Sequence, residues 1–443
     1  MSTPIWPEHA AGGAPEGGVA GGYPPGTAGG APEGGVAGGL WYPDGGSGGS
    51  GAPYGPGTAS ASSSLPQRRW PVGVLVLALV LALVVGVPSI VAAHYAKGYF
   101  LFSPGTAPLI TTSDKCKPSS EGELSLPDGT PCVRLLVPKA KARAVHGRLL
   151  MVDVEESQAT ALDWAEDELG LLGKDRQLVP IAAYAGTTPT SELGCQDNQE
   201  MADANQDAAI AALSSLHYHV TEVPLGAQVV SVYASTPAWD AGIKCNDLIV
   251  GVNGRTVRGP QDLANALKAD PPGTQVTLTD DPASGGRPRR VRVTLAKPPA
   301  SVVAQGFRNR AYLGIEDEAR VKVELPFAVS INAGNIGGPS AGLAFTLAIL
   351  DALSNGKLTG GHTVAATGTI NPDGQVGDVG GVQEKTVAVE KAGAQVFFVP
   401  SVEYTTAESV ANGTLDIVPV TTLQQVISVL HTRFGGSLPS TTG

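Results

Sequence analysis

The chain of 443 residues holds 58 Gly and 35 Pro, with 40 acidic against 29 basic side chains and a net charge of −11. That balance argues against a nucleic-acid surface, which needs a basic patch, and the length admits more than one globular domain at about 150 residues each. Much of the glycine lies in residues 1–67, expected to form a disordered cytoplasmic tail: residues 1–66 carry no Lys or Arg, and AGGAPEGGVAGG occurs at 11–22 and again at 28–39. So few large apolar side chains cannot offset the entropy of ordering such a segment.

Residues 68–95 are expected to be a single transmembrane anchor. Positions 71–93 are 23 consecutive residues without a charge, about 34 Å of helix, enough to cross a bilayer. Arg68 and Arg69 are the only basic residues before it, which favours a cytoplasmic N-terminus, with Trp70 and Tyr95 at the interfaces. The rest of the chain would then be extracytoplasmic, at the cell membrane. A cleaved signal peptide is the competing reading, but the apolar stretch is too long and starts too late. All four cysteines, Cys116, Cys132, Cys195 and Cys245, follow the anchor, as an oxidising compartment requires. Cys116 with Cys132 and Cys195 with Cys245 is one pairing; spacing alone does not fix the connectivity.

Residues 96–220 read as a mixed α/β connecting region. GRLLMVDV (147–154) has the pattern of a strand, ATALDWAEDELGLL of a helix with Leu162, Trp164, Ala165 and Leu169 near one face, and QEMADANQDAAIAALSSL of a second helix. No chemistry is evident there. His217 and His219 lack a third metal ligand, so no metal is expected.

Residues 221–298 read as a small strand-rich module: strands at 228–232 and in NDLIVGVNG, short helices at 239–241 and 261–269, and a strand in TQVTLTD. The stretch STPAWDAGIKCNDLIVGVNGRTV resembles a PDZ domain, with Asn246-Asp247 where the family usually has Gly-Asp. The resemblance implies a groove between a strand and a helix that receives a polypeptide end by strand addition. It places the entrance of that groove in VPLGAQ, at Leu225 and Gly226.

Residues 299–435 alternate strands and helices, an α/β (α+β) layered domain, before a short disordered tail expected at 436–443. Its first helix, expected over 340–354, has Leu343, Leu347, Leu350 and Leu353 on one stripe. Ser340 stands at the start of that helix in NIGGPSAGLAF, beside unpaired backbone N–H groups and the positive end of the helix dipole. Capping needs only Ser, Thr, Asp or Asn and leaves Gly337-Gly338-Pro339 unexplained. A nucleophile with an oxyanion cradle in the backbone of Gly338, Pro339 and Ala341 explains both. A serine nucleophile also needs a base, and no His-Asp pair is evident; Lys385, just after Gly380-Gly381 at a helix start, is disfavoured as an ammonium by the dipole and by burial.

GGPSAGLAF, with GGVQEK bringing Lys385 45 residues after Ser340 and ATGTI between them, resembles the proteolytic domain of the Lon family of serine peptidases. The resemblance implies that Ser340 is the catalytic serine, Lys385 the catalytic lysine, and Thr367 the hydroxyl that holds the lysine amine. Two departures stand out: Gly337 where the family often has an acidic residue, and Thr369 where it has glutamate. With an anchor and a PDZ-like module ahead of it, the chain resembles membrane-anchored PDZ and Lon peptidases of bacteria. That implies polypeptide substrates, a bilayer partner, no cofactor and assembly into a homo-oligomeric ring. No GxxxxGK[ST] loop occurs, so ATP is not an expected partner. The rival expectations are a PDZ adaptor or chaperone whose Lon-like domain is inactive and oligomerises, and an HtrA-like triad protease.

Overall fold

The structure is a computed structural model that describes residues 87–119, 122–137, 147–184, 190–300, 303 and 311–438. The tail expected at 1–67, and the anchor expected at 68–95 as far as residue 86, lie outside the described residues. Among the described residues no helix is long and apolar enough to cross a membrane.

In chain order, helix α1 (Val87–Ala96) leads into strands β1 (Tyr99–Pro104), β2 (Leu109–Thr111), β3 (Cys132–Leu136), β4 (Arg148–Leu150) and β5 (Val154–Gln158). Helix α2 (Ala161–Glu168) and strand β6 (Gln177–Pro180) precede the long helix α3 (Thr190–Ser215). A second group runs β7 (Thr221–Val232), α4 (Pro237–Asp240), β8 (Leu248–Val252), α5 (Pro260–Leu267), β9 (Gln275–Asp281), β10 (Arg289–Thr294) and β11 (Ile315–Glu324). The last group is β12 (Ser330–Asn332), α6 (Gly342–Leu353), β13 (Thr363–Ala366), α7 (Val382–Lys391), β14 (Val396–Pro400), β15 (Asp416–Val420) and α8 (Leu423–Phe434).

A seven-stranded sheet of order β12-β3-β2-β4-β13-β14-β15 carries the main core. Residues 96–220, read from sequence as a connecting region, supply three of its strands: β4 runs parallel to β13, with Leu149 opposite Val364, and β2 and β3 extend the sheet beyond it. β14, VFFVP, is buried along its whole length, as an interior parallel strand must be. Phe397 and Phe398 are fully enclosed, and truncating either to alanine would cost about 3–5 kcal/mol.

Helix α6 departs from the one-stripe expectation. It is buried from Gly342 through Leu350, because the alanine-rich face of α3, including Ala208 and Ala212, covers the side turned away from the sheet. Helix α2 departs too: Leu162 and Leu169, expected on its apolar face, are 66% and 71% exposed, while Trp164 stacks on Tyr95 with ring centroids 5.5 Å apart. A separate three-stranded sheet, β5-β1-β6, lies on this side of the molecule. The C-terminal tail expected at 436–443 is ordered at its beginning: Gly436 N–H donates to Leu430 O (2.9 Å), Ser437 N–H to Lys357 O (3.1 Å), and Leu438 packs on the core.

The second sheet has the order β10-β9-β8-β7-β11, with α5 packed against it over a core of Val229, Ile249, Leu263 and Leu278. Its edge strand β11 comes from residues assigned by sequence to the C-terminal domain. Asn246 takes a left-handed conformation (φ 68°), so the asparagine adopts the turn a glycine would make. Both disulfides form, Cys116–Cys132 and Cys195–Cys245, the second joining α3 to this strand-rich module.

Candidate active site

Ser340 lies two residues ahead of α6, whose N-cap is Ala341. No side chain caps this helix, so Ser340 does not serve as the cap its position allowed. Its carbonyl is clamped instead, accepting from Gly368 N–H at 2.9 Å and from the Thr367 hydroxyl at 3.3 Å. The turn before it is held by α3: Gly338 N–H donates to Asp197 O at 2.9 Å. A side chain at position 337 would place its Cβ 2.8 Å from the Asp197 Cβ, so the approach of α3 leaves room for glycine alone. That accounts for the missing acidic residue there.

Lys385 sits in the first turns of α7, its N–H bonded to Gly381 O at 3.0 Å. It is 3% exposed. Burial lowers its amine to about 8, against the fields of Glu403, Asp153 and Glu384, which pull the other way. Glu403 accepts from Val379 N–H at 2.8 Å, and burial raises its carboxyl to about 7. Asp153, also raised by burial, is held by the Thr106 amide and, at 2.9 Å, by the Thr106 hydroxyl. Ser340 and Lys385 line one cleft of about 680 Å³, together with Asp153 and Gly380.

The structure therefore brings Ser340 and Lys385 to one cleft and revises the residues around them. Thr367 is fully buried, and its observed partner is the Ser340 carbonyl rather than the lysine amine. Gly338 and Pro339 are not oxyanion donors: the Gly338 amide is engaged by Asp197, and proline has no N–H. Ala341, with the Ser340 amide before it, is what remains of that expectation. Asp153 and Glu403 were missed by sequence reasoning. They come from segments with no motif, and only the pairing of β4 with β13 and the return of the chain after β14 bring them to α7.

Leu225 and Gly226, expected at the groove entrance of the strand-rich module, lie within a paired strand. Leu225 is the extra residue of a bulge in β7, and Gly226 stands opposite Arg320 of β11, so neither is in a loop. The sheet has edge strands at β10 and at β11, and of these two β11 is the one that α5 contacts. The chain enters it through Tyr312-Leu313-Gly314, where Gly314 has φ 90° and a Cβ would stand 2.2 Å from the Thr236 Cβ. A glycine between Leu313 and Ile315 ahead of a strand was the available signal.

Residues 301–433 match the family model for the Lon protease (S16) C-terminal proteolytic domain, and residues 228–279 match a PDZ domain. The Lon protease of Malacoplasma penetrans is 40% identical over 102 residues, 22% of this chain and 12% of that protein. The Lon protease of Ureaplasma parvum is 32% identical over 137 residues, 30% of this chain and 17% of that protein. The chain thus spans less than a fifth of the length of these relatives. A solved PDZ domain, of the SdrC-like protein from Listeria monocytogenes, covers 21% of this chain and 87% of its own at 18% identity, with a TM-score of 0.18. The chain carries a Lon-type proteolytic domain and a PDZ domain, and the first of these supports a serine peptidase.

Proposed function

We propose that the chain is an endopeptidase with a Ser340–Lys385 dyad that works without ATP. The observation that carries this reading is the presence of both side chains in one cleft, with the lysine buried and its amine lowered to about 8. Such an amine is partly neutral at pH 7 and able to accept a proton. Ser340 Oγ attacks the scissile carbonyl while its proton passes to Lys385 Nζ; the lysine returns that proton to the leaving amine. Water, deprotonated by the same amine, then cleaves the acyl ester and restores the serine. In this reading the amides at Ser340 and Ala341 take the developing oxyanion, and Thr367 fixes the Ser340 carbonyl.

The apolar stretch at 71–93 and the position of all cysteines beyond it support an anchored protein with its catalytic domain outside the cytoplasm. In this reading the PDZ domain takes polypeptide ends along β11, the substrates are flexible or damaged chains and membrane-protein tails, and copies assemble into a ring. The test is cleavage of casein without ATP by the full chain, beside Ser340→Ala and Lys385→Ala. Activity in the parent alone supports the dyad. Equal silence of all three on many unfolded substrates refutes it in favour of an adaptor, and a parent active only with ATP refutes ATP independence.

A further inference from the structure

We propose that the cleft selects polypeptides with lysine or arginine within a residue or two of the scissile bond, the cation seating against Asp197 and Glu200. This rests on the peptidase reading and names its substrate class. The cleft that holds Ser340 is lined by Glu123, Asp153, Glu155, Glu156, Asp197 and Glu200. Among the described residues lining it, Lys385 is the sole cation. A wall of one sign beside low-dielectric surface focuses the field and concentrates the opposite charge.

Lys385 offsets that wall only in part, acting on Asp153. It is enclosed, takes part in no salt bridge among the described residues, and has Glu403, Asp153 and Glu384 as the charges acting on it. Its part in catalysis also requires it to be neutral when the serine is attacked.

Some acidic groups among the described residues do have cationic partners, although Asp207, Asp317 and Asp351 do not. Asp163 pairs with Arg176, Asp280 with Arg289 at 2.7 Å, and Asp203 with Arg320 at 2.7 Å. Asp197 and Glu200, half-buried on one turn of α3, have none among the described residues; among these the Glu200 carboxylate receives the neutral Gln196 amide at 3.0 Å. Burial raises both carboxyls, and the Asp197 charge acts on Glu200 and on Glu156 at the exposed rim. Like charges crowded in this way favour a visiting cation, which relieves their repulsion and part of their desolvation.

Their position ties the wall to the chemistry. The Asp197 carbonyl holds Gly338 N–H, two residues before the nucleophile, so this carboxylate is fixed beside the turn that presents Ser340.

The test uses quenched-fluorescence peptides that differ only in having Lys, Gln or Glu flanking the scissile bond. They are cleaved by the full chain at about 0.05 M and about 0.5 M salt, and their binding to Ser340→Ala is measured by anisotropy. The expected kcat/KM order is Lys above Gln above Glu, with roughly a tenfold advantage of Lys over Gln that shrinks in high salt. The double variant Asp197→Asn, Glu200→Gln should bring that ratio towards one. Glu156→Gln, which leaves α3 untouched, should lower it in part. Cleavage without charge ranking overturns the inference and leaves the peptidase standing. Absence of cleavage with cation-ranked binding to Ser340→Ala sinks the peptidase and supports the cationic selectivity of the cleft.

Discussion

If Lys385 is the base, the rate on a neutral peptide must follow the neutral fraction of its amine. With that amine at about 8, roughly a tenth of the lysine is neutral at pH 7 and about nine-tenths at pH 9. The sign is fixed by the role: a base must be unprotonated, so kcat/KM rises with pH, by roughly tenfold over this interval, before levelling. Glu403 contributes the largest of the three fields that raise the amine. Glu403→Gln removes that charge while keeping an acceptor for the Val379 amide, so the rise should move to lower pH and the rate at pH 7 should increase. Initial rates on a fluorogenic peptide well below KM, with far-UV circular dichroism checking the fold at each pH, measure both. A profile flat from pH 6 to 9, or one that Glu403→Gln leaves in place, refutes the argument that burial has prepared this amine.

Three further substitutions probe the frame around the proposed dyad and the edge of β11. Gly337→Asp sets a Cβ 2.8 Å from the Asp197 Cβ; overpacking of this kind costs about 1–3 kcal/mol and should lower kcat more than KM as the nucleophile turn shifts, read by thermal melting and steady-state kinetics. Thr367→Val removes the hydroxyl that holds the Ser340 carbonyl, at a cost of about 1 kcal/mol, and should reduce kcat without moving the pH profile, whereas a lysine-orienting role would move it. Gly314→Val forces a side chain onto Thr236 at a positive φ; calorimetry should show a lowered melting transition, and binding of C-terminal peptides along β11 should be lost.

The meeting of Ser340 and Lys385 in one cleft was legible because each sits in a short segment whose local chemistry is distinctive: a glycine turn ahead of the apolar α6, and a lysine just inside α7. What was hidden was the partner of each strand. Periodicity shows that GRLLMVDV is a strand but not that β4 lies beside β13, because pairing between distant segments leaves no local pattern. Asp153 follows from that pairing, so the carboxylate beside Lys385 was hidden with it. The placement of Leu225 and Gly226 was hidden for the same reason: β7 is apolar enough to be any strand of the sheet, and only β11 pairing along its length shows that its edge is taken. The oxyanion assignment went astray for a different reason, since the carbonyl that engages the Gly338 amide belongs to α3, a helix that carried no motif.

Helix α3 joins the two sites. Within its residues 195–203, Cys195 is bonded to Cys245 of the PDZ domain, the Gln199 amide meets Glu318, and Asp203 pairs with Arg320 at 2.7 Å, both on β11. Between these anchors, Asp197 holds the turn before Ser340. The strand that would receive a polypeptide end and the turn that presents Ser340 are therefore fastened to the same two turns of one rigid element. Cutting the covalent anchor tests this. The Cys195–Cys245 bridge spans 50 residues of sequence, and its loss should cost about 4 kcal/mol on chain-entropy grounds. Cys116–Cys132 spans 16, and about 3 kcal/mol would follow from its loss. The stability costs are similar, but the activities should diverge. Cys195→Ser with Cys245→Ser should lower kcat several-fold at a temperature where both variants remain folded, while Cys116→Ser with Cys132→Ser should lower it less. Equal kcat in the two pairs would show that the PDZ domain and the nucleophile turn are mechanically independent.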